Sequence, residues 1–272
     1  MREAAPKNLP HLRTMRAVLT LALLALASCA STDFDRAPMT CETGFGTVRG
    51  FAAEDVEEVG RLVRDLAPRV QEILRPKHAE PVRVVVLDTP TDPSTKAFTD
   101  EFVREGQLVD RFIVVGSEGR HLRAFLVAHE CVHWFFDGPW DRLPLALEEG
   151  LADLIACQLD PVGRKAKLFD LAHVPPAVSF DEIEAALRVT RETWAGLTAA
   201  ERDRAYWIGY VVASRLGVEG LRELAEQAAV DGVGFVSPQP VVDRVGLGRD
   251  VQAWNRARVE LAQGHAAQQA AH

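Results

Sequence analysis

His129, Glu130 and His133 stand in the order H-E-x-x-H, and Glu149-Gly150-Leu151-Ala152-Asp153 begins sixteen residues after the second histidine. Residues four apart on a helix share one face, so His129 and His133 can aim two ring nitrogens at one ion. Glu130 sits about 100° round that helix. The offset takes it out of ligating position but leaves it within reach of a water on the same ion. Two imidazoles and a distant carboxylate, Glu149, suit a zinc ion that keeps a fourth position for water. Such a water has its pKa lowered to about 7, and Glu130 would take its proton as general base and hand it to a leaving amine. The chemistry implied is hydrolysis of a peptide bond with Zn2+ as cofactor.

The neighbours of each motif define the elements that must carry it. Leu122, Phe125, Leu126, Val132, Phe135 and Phe136 recur at helical spacing around H-E-x-x-H, and Gly138-Pro139 stops that helix. A second helix is expected over Pro144–Leu159, with proline suited to its start. Gly150 would let another backbone approach closely, which favours Glu149 as the third ligand. Glu148 is expected only to complement the helix dipole. Asp153, one turn beyond Glu149, could accept a hydrogen bond from the far nitrogen of a ligand histidine. The chain has two tyrosines, Tyr206 and Tyr210, four apart on one helix. A phenol near the metal can donate to the oxyanion of a tetrahedral intermediate.

H-E-x-x-H followed by E-G-L-A-D resembles the gluzincins, the zincin branch that includes thermolysin-like proteases and membrane alanyl aminopeptidases. The resemblance implies that Glu149 is the third zinc ligand and that Asp153 supports a ligand histidine. The G-x-M-E-N motif of the aminopeptidases is missing, so recognition of an N-terminal amine is not implied. A closer resemblance is to the compact bacterial peptidase MA-like family. Its pattern is a strand, the H-E-x-x-H helix, a proline-led helix with E-G-x-A, and a tyrosine-bearing helix ending in glycine. This chain offers Phe112–Val115, the two motifs, Ala205-Tyr206-Trp207-Ile208-Gly209-Tyr210 running to Leu216-Gly217, and then Gly220-Leu221-Arg222-Glu223-Leu224. The likeness spans about Ala79 to Ala229. By that pattern Tyr206 is the oxyanion donor. In zincins the strand beside the cleft is an edge that pairs with extended substrate, which implies that role for Arg111–Val115.

At the N-terminus, Arg13 and Arg16 precede the apolar run Ala17–Ala27, too short for a comfortable membrane span. This reads as a secretory signal. It ends in Leu26-Ala27-Ser28-Cys29, which resembles the bacterial lipobox, in which the cysteine is acylated and becomes the first mature residue. Residues 1–28 are therefore expected to be a lipoprotein signal peptide, and Cys29 the lipidation site. The protein would be anchored outside the cytoplasm, at the outer membrane in a Gram-negative cell because Ala30 rather than aspartate follows Cys29. Residues 29–47 are read as a polar tether, 48–262 as the peptidase domain, and 263–272 as a disordered alanine- and glutamine-rich tail.

Losing residues 1–28 removes four basic residues and one acidic one from the 31 and 39 of the chain, leaving a net charge of −11. That argues against nucleic acid and against a polybasic membrane face. The expected partners are a peptide or protein substrate and, through Cys29, a membrane. Cys41, Cys131 and Cys157 permit at most one internal disulfide, and spacing does not choose the pair. Cys131, about 200° round the helix from His129, should face away from the metal.

Ala52–Leu74 reads as a helix with an apolar stripe, Val82–Leu87 as a buried strand, and Arg111–Val115 as a second strand. Helices follow over Asp181–Val189, Ala200–Leu216, Val218–Ala229 and Arg249–Leu261. The fold class is α+β. A small mixed sheet carries the metal helix and a mostly helical C-terminal lobe follows; the resemblance makes the arrangement zincin-like, with the cleft between the two.

Overall fold

Two amphipathic helices packed on one face of a short β-branched sheet set the frame of the molecule. The computed structural model describes residues 34–87, 97–104, 107–116 and 120–269. The lipobox and Cys29 lie outside them.

Five strands form one mixed sheet in the order β1-β2-β3-β5-β4, with β1 Met39–Glu42, β2 Gly46–Gly50, β3 Val82–Leu87, β4 Ala97–Arg104 and β5 Gln107–Gly116. β2, β3 and β5 are parallel; β1 and β4 run antiparallel at the two edges. Side chains alternate across a strand. Thus Val82, Val84, Val86, Ile113 and Val115 join the main core beneath the helices. Val85, Phe112 and Val114 make a smaller cluster with Phe34 on the other face. Burial on both faces explains why β3 is a run of valines.

Three expectations need correction here. The strand Arg111–Val115 is not an edge: β4 pairs along β5 and takes the outer position. The stretch read as a tether enters the fold, because β1 and β2 bond into the sheet and Phe34 is buried against its second face. The tail read as disordered continues the last helix, which runs to Gln269.

Helix α1 (Ala53–Leu74) buries Val56, Val59, Val63, Leu66, Val70 and Leu74 against the sheet, the stripe its spacing predicts. Helix α2 (Arg123–Trp134) carries H-E-x-x-H beside it. Its first residue, Arg123, is fully buried and bridges Asp55 and Glu58 of α1, which pins the start of α2 to the frame. Helix α3 (Leu145–Leu159) follows, with Pro144 as its N-cap.

Helix α4 (Pro161–His173) has no counterpart in the expectations drawn from the sequence. Its cue is Asp160-Pro161: the aspartate accepts hydrogen bonds from the amides of Val162 and Gly163 at 3.0 Å, and proline suits the first turn. The short helices α5 (Phe180–Ala186) and α6 (Arg191–Trp194) lead into α7 (Ala199–Val230). Gly217, with φ of 67°, breaks α7 at the point where the sequence separates two helices. Helices α8 (Pro238–Val245) and α9 (Val251–Gln269) close the lobe. Among the described residues no helix is long and apolar enough to cross a membrane.

The helical lobe docks backbone to backbone on the layer that carries H-E-x-x-H. A Cβ at Gly209 of α7 would stand 1.7 Å from the Ala146 carbonyl oxygen, and one at Gly150 of α3 would stand 2.2 Å from the Gly209 carbonyl. Only glycine permits that approach. It sets α7 directly against Glu149 and brings Tyr206, one turn before Gly209, toward the same place.

Candidate metal centre

His129 and His133 project from one face of α2, and Glu149 from the facing turn of α3. The two Nε2 atoms are 3.1 Å apart. Glu149 Oε2 lies 3.2 Å from His129 Nε2, and Glu149 Oε1 lies 3.6 Å from His133 Nε2. Ligand atoms held at about 2.0–2.1 Å from one tetrahedral zinc ion are themselves about 3.3 Å apart. The spacing fits one such ion, and these three residues form a group that could hold a metal.

The rings are turned by carboxylates behind them. His133 Nδ1–H donates to Glu148 Oε1 at 2.7 Å, and Arg191 Nη2 of α6 donates to the same oxygen at 2.7 Å. Asp153 Oδ1 lies 3.1 Å from His129 Nδ1, and its other oxygen pairs with Lys167 of α4. With the His133 Nδ1 proton given to Glu148 and His129 Nδ1 turned toward Asp153, both Nε2 lone pairs of the neutral rings face each other and the Glu149 carboxylate. Three acceptors converging on one point repel unless a cation lies among them.

The expectation that Glu148 only complements the helix dipole is therefore corrected. Its side chain is buried and accepts from one imidazole, while Asp153 stands 3.1 Å from the other. A signal for it existed: two ligand histidines need two acceptors, and Asp153 can serve only one. Arg191 and Lys167 had no such signal, since their own helices bring them in.

Charge counting gives the same answer by another route. Glu130, Glu148, Glu149 and Asp153 are all buried, and Lys167 and Arg191 pair with two of them. Fully ionised, the four carboxylates and two cations leave a deficit of two positive charges. A divalent ion removes it. In the metal-free protein two imidazolium protons do so. Burial alone would lower the His129 pKa, but its contacts with Asp153 and Glu149 outweigh that and raise it to about 9. His133 rises likewise, against burial, through Glu149 and Glu148. Glu149 and Asp153 shift the opposite way: burial would raise them, but the imidazoles hold Glu149 low, and Lys167 and His129 hold Asp153 low.

A proton count follows. Below the raised imidazole pKa values the metal must displace protons, so its affinity should climb with pH at least as far as about 9, the His129 value. Zinc binding near pH 7 should release about two protons. Calorimetry in buffers of different ionisation enthalpy checks this, and release of none would contradict the geometry described.

Glu130 is buried beside the cluster rather than within it. Thr99 Oγ1–H of edge strand β4 donates to Glu130 Oε2 at 2.8 Å. Burial raises the Glu130 pKa above the usual carboxylate value, with the two imidazoles and Thr99 opposing. Thr99 escaped the sequence reading because β4 did.

The two tyrosines diverge. The Tyr206 ring stands edge-on to Trp194 at 5.2 Å, with Lys167 Nζ 5.4 Å from its centroid. Burial, then the charges of Glu149, Asp153 and Glu130, push its phenol pKa well up, so it stays a proton donor. Tyr210 is buried, and its hydroxyl bonds with the Cys157 thiol instead. Cys41, Cys131 and Cys157 are all free. Burial pushes the Cys157 thiol up to about 12 and raises Cys131 as well, so neither is poised to act as a thiolate ligand.

No protein-family model matches the chain, and no curated protein matches it.

Proposed function

We propose that the chain is a zinc-dependent peptidase of the gluzincin type, resembling in plan the bacterial peptidase MA-like proteins. It would be tethered outside the cytoplasm through a lipid on Cys29. The observation that carries the reading is the convergence of His129, His133 and Glu149 with a buried carboxylate, Glu130, held beside them and outside the ligand triangle.

Two imidazoles and one carboxylate are a donor set suited to zinc. Held there, zinc supplies a water with its pKa lowered to about 7 and polarises a carbonyl oxygen. The protein groups divide the remaining work. Glu130 accepts the proton of the attacking water and delivers it to the departing amine; its raised pKa suits both transfers. Tyr206 donates its phenolic proton as a hydrogen bond to the developing oxyanion. Glu148 and Asp153 keep the ligand imidazoles in the tautomer that leaves Nε2 free. Strand β4, at the sheet edge, offers its outer backbone groups to an extended peptide.

Thr99 belongs to this machinery as a positioning residue. Thr99→Val should lower kcat about tenfold with KM little changed, and Thr99→Ser should restore it, because only the hydroxyl aims Glu130. Equal activity of all three would remove Thr99 from the account.

The test of the function is a peptide library incubated with the purified protein. Cleavage should appear, stop on adding a zinc chelator and return with added zinc. A protein that holds zinc yet cuts nothing across a broad library would overturn the peptidase reading.

A further inference from the structure

We propose that the cleft between α4 and the first turns of α7 is a subsite for a cationic side chain of the substrate, arginine above all. The inference rests on the peptidase reading and names the residue such an enzyme would select.

The cleft has a volume of about 430 Å³, room for a long side chain. It adjoins the metal centre through a shared wall. Tyr206 and Lys167 line it. Lys167 pairs with Asp153, which contacts His129, and the Tyr206 phenol feels the charges of Glu149, Asp153 and Glu130. A peptide lying across the metal ligands can therefore drop one side chain past Tyr206 into this cleft.

Its lining sorts side chains by charge. Leu171 and Trp207, 2% and 1% exposed, give an apolar floor suited to a methylene stem. Asp170 of α4 and Asp203 of α7 bring a carboxylate from each side, and both residues are exposed. Neither carboxylate has a cationic partner among the described residues. The one lysine in the wall is already committed to Asp153 and to the rings of Tyr206 and Tyr210, at 5.4 and 5.7 Å. The uncompensated charge at the cleft is thus negative.

A neutral side chain would gain the floor alone, and an acidic one would be repelled. A cationic one gains the floor and both carboxylates. Phe169, beside Asp170 on α4, stacks on His173 of the lining at 4.2 Å and is 65% exposed, a flat aromatic surface that favours a guanidinium over an ammonium.

The experiment uses zinc-loaded Glu130→Gln protein and blocked peptides carrying arginine or its neutral isostere citrulline at each position in turn. Fluorescence anisotropy should find one position where arginine binds about fivefold tighter, the size expected of exposed, screened carboxylates. The gap should close in the Asp170→Asn/Asp203→Asn protein and at about 0.5 M salt, with citrulline peptides unaffected. Equal binding of both peptides at every position, or a preference that survives the double substitution, would overturn the subsite. Wild-type cleavage of the same peptides judges the peptidase reading separately. Selective binding without cleavage sinks that reading and leaves the subsite, whereas cleavage without selectivity does the reverse.

Discussion

The wild-type and Glu130→Gln proteins should each bind one zinc ion per chain, yet the variant should cleave peptides about 10³-fold more slowly. Glutamine matches glutamate in shape, and Thr99 can still donate to its carbonyl oxygen at the position where it now meets Oε2. Ligand geometry should survive, because Glu130 stands outside the triangle of His129, His133 and Glu149. What the amide lacks is basicity: it cannot take the proton of the attacking water or return one to the leaving amine. Zinc content measured beside initial cleavage rates separates these two properties. A variant that keeps more than about a tenth of wild-type rate would show that another group, or none, acts as base.

Glu149→Gln should do the opposite and lose the metal itself. Replacing Asp153 or Glu148 by its amide leaves all three ligand atoms in place and should cost about 10–100-fold in zinc affinity. Removing the Glu149 charge deletes a ligand and upsets the balance of four carboxylates against two protein cations and one divalent ion, so the loss should exceed about 100-fold. The metal-free variant carries an independent signature. Glu149 is the leading favourable partner that holds His133 protonated against burial, so the His133 pKa should fall when that charge is removed. Competition with a fluorescent zinc chelator reads the affinity, and imidazole NMR titration reads the pKa. Zinc binding within a few-fold of wild type would remove Glu149 from the ligand set.

The parts of the fold legible beforehand are those whose signal is local. The stripe of α1, the proline at the start of α3 and the break at Gly217 are each written within a few residues. The edge strands were not legible. β1 reads MTCE and β4 reads AFTDEFVR, polar segments whose place depends on partners elsewhere in the chain. With β4 missed, nothing stood against giving β5 the edge role that the zincin resemblance implies, and Thr99 stayed hidden. In the site, the ligand spacing was local, but the groups that orient it were not. Thr99 meets Glu130 across 31 residues of sequence, and Arg191 meets Glu148 across 43. Neither pairing can be read without the fold. Glu148 was within reach, since its neighbour Glu149 already pointed at the metal.

The centre itself is tested most directly by an X-ray absorption spectrum at the zinc edge of the purified protein. Two imidazole nitrogens and carboxylate oxygen should appear at about 2.0–2.2 Å, with a light-atom scatterer in the fourth position, and the pattern should be lost in His129→Ala. A sulfur scatterer at about 2.3 Å, or a spectrum unchanged by that substitution, would place the metal elsewhere and contradict the account.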